Sequence, residues 1–79
     1  MYIIKLAKSP DFYNIMIFDD LVKVMAEHQC NDLYEMNFYI QTIQKKLKFK
    51  YALLIVHDQI NNSVEVRKIE GDIFFDNTN

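Results

Sequence analysis

The sequence predicts a small α+β domain: an antiparallel sheet of about four strands carrying two helices packed on one face, in the order β-β-α-α-β-β. Three observations predict it. The stretch from Asp32 to Lys48 repeats apolar residues at steps of three and four. The segments toward both ends alternate, or run apolar, over strand lengths. One Gly and one Pro in 79 residues leave little room for irregular backbone. The length fits a single domain over 1–79, with residues 76–79 expected to fray.

Tyr2 to Lys8 is β-rich, with Tyr2, Ile4 and Leu6 on one face. Ser9-Pro10-Asp11 is a turn signal, and Phe12 to Phe18 returns as a second strand. That strand is apolar on both sides, with Tyr13, Ile15 and Ile17 on one and Phe12, Met16 and Phe18 on the other. A single helix layer covers only one of those sides, which predicts a homodimer through a sheet face or edge. Asp19-Asp20 can cap a first helix from about Leu21 to Gln29, with Leu21, Val24, Met25 and His28 on one face. Cys30-Asn31 breaks it.

The main helix follows. Leu33, Met36, Ile40, Ile43 and Leu47 form its seam, Asp32 is the cap, and Glu35 completes an acidic first turn. Lys45, Lys46 and Lys48 place positive charge where the helix dipole is negative. Phe49 to Val56 then alternates as a strand buried on much of both faces. His57 to Asn62 is a polar loop in which Asn61-Asn62 tolerate left-handed backbone. Ser63 to Glu70 is the returning strand, and pairing Ile55 with Val66 and His57 with Val64 keeps apolar side chains together. The phase slips at Ile69, which suggests a bulge or the strand's end. Gly71-Asp72 turns the chain into Ile73-Phe74-Phe75, a short apolar patch with room for a fifth strand.

A net charge of −2 is too small for an acidic DNA mimic and lacks the overall basicity of a typical nucleic-acid binder. The lone Cys30 cannot form an internal disulfide, Lys5 and Lys8 interrupt any signal-like run, and no stretch approaches the roughly 20 apolar residues of a membrane span. These features predict a cytoplasmic protein without membrane association.

The chemistry-bearing residues are sparse. His28 and Cys30 are two apart, His57-Asp58 lies elsewhere, and paired Cys or His spacings are absent. On a helix, residues two apart diverge, so neither a metal nor a cofactor is expected. A Cys30–His nucleophile pair would need an orienting third group and an oxyanion site. The single Gly71 supplies neither a phosphate cradle nor a nucleophile elbow, and the chain is not expected to be an enzyme.

Two surface features remain. Lys45, Lys46, Lys48 and Lys50, with Phe49 and Tyr51 among them, give the alternative reading of a nucleic-acid-binding domain. Against it, the lysines also suit a helix C-terminus, Phe49 and Tyr51 suit a core, and the only arginine, Arg67, lies outside the patch. The stronger feature is surplus aromatic area: Tyr34, Phe38 and Tyr39 lie off the helix seam. The leading expectation is therefore a non-catalytic protein-binding domain acting by surface occlusion. Its small size fits an inhibitor or regulator of the phage or mobile-element type, with Phe12, Phe18, Tyr34, Tyr39, Phe74 and Phe75 as partner anchors.

Overall fold

A computed structural model describes residues 1–75. Strands β1 (Tyr2–Lys8), β2 (Tyr13–Phe18) and β3 (Val24–Cys30) precede helix α1 (Leu33–Leu47), and β4 (Tyr51–Asp58) and β5 (Ser63–Glu70) follow it. The five strands form one sheet in the order β3-β2-β1-β4-β5. Three neighbouring pairs are antiparallel, whereas β1 and β4 run parallel. This corrects the expectation of two helices on a four-stranded antiparallel sheet: the order is β-β-β-α-β-β and the sheet is mixed. The fraying expected at residues 76–79 lies outside the described residues.

The overturned element is the helix expected from Leu21 to Gln29. Asp19, expected as its cap, instead closes a turn, its Oδ1 accepting the Leu21 and Lys23 N–H groups at 2.9 Å each. The Asp19 N–H also donates to the Lys23 carbonyl. Leu21 projects into solvent from this turn, and Val22 takes a left-handed φ of 61°. β3 then pairs with β2 from Tyr13–Cys30 to Ile17–Ala26, and the register shifts at Phe18, which faces Val24. Without β3 the N–H and C=O groups along this side of β2 would lack partners, a stronger demand than the weak helical pattern of 21–29.

From the β3 edge, α1 carries the chain across one face of the sheet and delivers β4 to the free side of β1. A parallel neighbour cannot be reached by a tight hairpin, and this crossover supplies the parallel pair. The β4–β5 hairpin has the expected register, Ile55 opposite Val66 and His57 opposite Val64. Its turn is held by the Asp58 carboxylate, which accepts from the Ile60 and Asn61 backbones and the Asn61 amide, while Asn62 is left-handed at φ 52°. No bulge interrupts β5 at Ile69, which simply faces the helix side.

The core lies between α1 and the sheet. Ile4, Leu6, Ile15, Ile17, Ala52 and Leu54 from the strands meet Met36 and Ile40 from the helix, with Leu33, Ile43 and Leu47 packed partly buried around them. On the opposite face, Phe18, Ile3 and Leu53 form one cross-strand row, and Met16, Lys5, Ile55 and Val66 form the next. α1 does not reach this second face.

Candidate functional site

The helix starts at a corner closed by two hydrogen bonds. Asp32 Oδ1 accepts the Glu35 N–H at 2.8 Å, and Glu35 Oε2 reaches back to the Asn31 N–H at 3.0 Å, a capping box whose return bond is displaced by one residue. The far end closes on Lys48 in left-handed backbone at φ 55°. Between them, two side-chain amides seven positions apart grip the segment 71–75. Gln44 donates to the Phe49 and Gly71 carbonyls at 3.0 and 2.6 Å and accepts the Ile73 N–H at 3.1 Å. Asn37 donates to the Phe75 carbonyl at 2.7 Å and accepts the Phe75 N–H at 2.8 Å. Both side chains are buried, and among the described residues no buried side-chain polar atom lacks a partner.

The two amides act as a surrogate strand edge. They hold Ile73, Phe74 and Phe75 beside α1 with the side chains alternating between covered and exposed. Ile73 enters the core, Phe75 packs against it, and Phe74 is turned outward. This segment is not the short fifth strand for which the sequence left room. Gly71, at φ 84°, makes the turn that brings the chain back to the helix, anchored by its N–H on the Lys50 carbonyl at 2.7 Å.

The outcome is a patch of exposed rings. Tyr34, Phe38 and Phe74 are 81%, 66% and 67% exposed, and with Leu33, Asn37, Gln41 and Phe75 they line a shallow groove of about 520 Å³. Tyr34, Phe38, Gln41 and Lys45 follow one another up the outer face of α1 at helical spacing, so the ring patch runs into the lysine end of the helix.

The expected partner-contact residues divide accordingly. Tyr34, Phe74 and Phe75 come together, joined by Phe38, which the anchor set had omitted. Phe18 is half-buried on the uncovered sheet face, and Phe12 sits half-buried in the β1–β2 turn, where its carbonyl accepts from the Ser9 backbone and hydroxyl. Tyr39 points away from the patch and stacks on His28, ring centroids 4.5 Å apart. Of the basic residues, Lys45, Lys48 and Lys50 border a second depression, Lys46 is exposed on the last helical turn, and Lys50 Nζ is 2.9 Å from Asp72. Phe49 is buried against Tyr2, ring centroids 4.7 Å apart, while Tyr51 is 61% exposed rather than in the core.

Asn37 and Gln44 carry no sequence-level prominence, because polar residues beside an apolar seam read as solvated. Their signal is a seven-residue separation, two helical turns, which places both on one flank of that seam. Compared with protein-family models, curated proteins and solved structures, the chain matches none of them. Among the described residues, no helix is long and apolar enough to cross a membrane.

Proposed function

We propose that the chain is a non-catalytic protein-binding domain whose contact surface is the Tyr34–Phe38–Phe74 patch. The observation that carries it is three large exposed rings displayed side by side on hydrogen-bonded backbone. Phe74 is presented by the Asn37 and Gln44 grips, and Tyr34 and Phe38 stand on a capped helix. With the backbone under the rings already held, and with few rotatable bonds in each aromatic side chain, little conformational freedom is lost on contact. The continuation into Lys45 and Lys48 commits the partner to a surface that is apolar at one end and acidic at the other. Function then consists of covering that surface.

The test is a binding assay on a partner recovered from the source cells, repeated with purified components. Tyr34→Ala, Phe38→Ala and Phe74→Ala should leave folding intact, and at least one should weaken binding about 30-fold or more, equivalent to about 2 kcal/mol. A purified complex indifferent to all three refutes the assignment.

The uncovered sheet face favours a second reading, self-association. Across this face Glu27 lies at the β3 edge beside Met16, and Lys68 lies at the β5 edge beside Leu53. A two-fold axis along β1 sets the β3 edge of one copy against the β5 edge of the other, which brings Glu27 toward Lys68 and Met16 and Phe18 toward Ile55 and Leu53. It also sets the two Lys5 side chains face to face at the axis, where they must extend past each other to water. Light scattering at tens of micromolar should give a dimer mass that Ile55→Asp abolishes. A monomer at that concentration sinks the reading.

A further inference from the structure

At the corner where β3 ends and α1 begins, His28, Cys30 and Glu35 each offer a ligand atom, and these three atoms lie within 4.8 Å of one another. We propose that this corner is a binding site for a borderline-soft divalent transition-metal ion of the Zn²⁺ class. Because β3 is a strand, His28 and Cys30 share a face, and Glu35 joins them from the first turn of the helix.

The ligand chemistry fits that ion and few others. A thiolate, an imidazole and a carboxylate suit Zn²⁺ or Co²⁺, whereas Mg²⁺ and Ca²⁺ require oxygen shells. A tetrahedral ion with bonds of about 2.0–2.3 Å needs ligand atoms about 3.3–3.8 Å apart. His28 Nε2 and Glu35 Oε1 are already 3.7 Å apart. Closing the widest separation takes about 1 Å, within reach of a side-chain rotation. The charges also balance, since a thiolate and a carboxylate neutralise a dication while imidazole binds neutral.

Support around the ligands is in place. Glu35 Oε2 is held by the Asn31 N–H, which leaves Oε1 on the His28 side. Tyr39 stacks on the His28 ring and fixes its plane. Such outer contacts orient metal ligands elsewhere and tune their affinity. Burial, followed by the nearby Glu35 and Asp32 carboxylates, pushes the Cys30 thiol above its ordinary range. The Glu35 and Asp32 carboxylates make the corner negative toward an arriving cation, while the same surroundings keep the Cys30 thiol protonated, so the ion must displace that proton to water as it binds. Three protein ligands leave a fourth position for water, and the ion would tie the last strand residues to the helix start.

The experiment titrates the full chain with Co²⁺ and follows thiolate-to-cobalt charge-transfer absorption in the near ultraviolet. The expected result is a saturable band at one equivalent, displaced by Zn²⁺. Glu35→Gln, which preserves the capping hydrogen bond because Gln serves the same position, and His28→Gln should each weaken binding about tenfold or more. Cys30→Ser should abolish the band. Cys30 is fully buried, so Cys30→Ser also costs stability on its own account, and the two Gln variants decide the matter. No thiolate band at millimolar Co²⁺, cobalt held without the thiolate (at His57 and Asp58, for example), or a band unaffected by both Gln variants overturns the site.

Discussion

Replacing Gln44 with Ala removes the principal clamp on the segment that displays Phe74. Three hydrogen bonds disappear, those to the Phe49 and Gly71 carbonyls and from the Ile73 N–H. At about 1 kcal/mol net per bond, with water reaching the part-buried Gly71 carbonyl, the loss is about 2–3 kcal/mol. In a domain of this size that lowers Tm by roughly 10–20 °C. Urea unfolding followed by circular dichroism measures the global effect, and amide exchange locates it. Gln44→Ala should first expose the Ile73 amide, whereas Asn37→Ala should first expose that of Phe75. Gln44→Glu adds a sign. It keeps the acceptor for Ile73 but sets a carboxylate against two carbonyls, so its folded pKa rises above the unfolded value of about 4.3. The penalty is absent below that value, grows as pH rises through it, and is complete above the folded pKa. If Gln44→Ala shifts stability by less than about 0.5 kcal/mol, the amides do not hold the segment and the held backbone argued for Phe74 fails.

Val22 is β-branched, exposed and left-handed, so Val22→Gly should stabilise the domain by roughly 1 kcal/mol, read as a higher urea midpoint; a lower one contradicts the strain. Asp72 is held below the usual carboxylate range by its hydrogen bond and charge attraction to Lys50, and Asp58 is lowered mainly by its Asn61 hydrogen bonds. Each stabilises the fold at neutral pH and loses that contribution as pH falls through its depressed pKa. In a carboxyl NMR titration, Lys50→Gln should return Asp72, but not Asp58, toward the ordinary value. Cys30 is fully buried with its thiol pushed up, so a thiol reagent at pH 8 should modify the native chain slowly and the urea-unfolded chain fast. Equal rates would mean that Cys30 is accessible.

Elements whose pattern and termini agree are legible in the sequence. For α1, seam, Asp32 cap and lysine end all point one way, and for the β4–β5 hairpin the apolar register and Asn62 do the same. The parallel β1–β4 pair is not legible, because it joins segments far apart along the chain through a crossover whose path is set by packing. The ring patch was half visible. Tyr34 and Phe38 leave the seam on a helical wheel, but the orientation of Phe74 is dictated by hydrogen bonds from Asn37 and Gln44 that no local pattern encodes.

The Val24–Cys30 segment shows how one wrong period spreads. As a helix it would leave the outer edge of β2 bare and turn His28 and Cys30 roughly 200° apart, which removes any reason to consider them with Glu35. As a strand it completes the sheet and puts both residues on the side facing α1. Ligand spacing has meaning only after the element type is known: two residues apart is a poor metal pair on a helix and a good one on a strand. The same segment thus decides both the sheet's edge and whether the corner can bind an ion. Cobalt binding that depends on His28 would therefore test the strand assignment as directly as it tests the site.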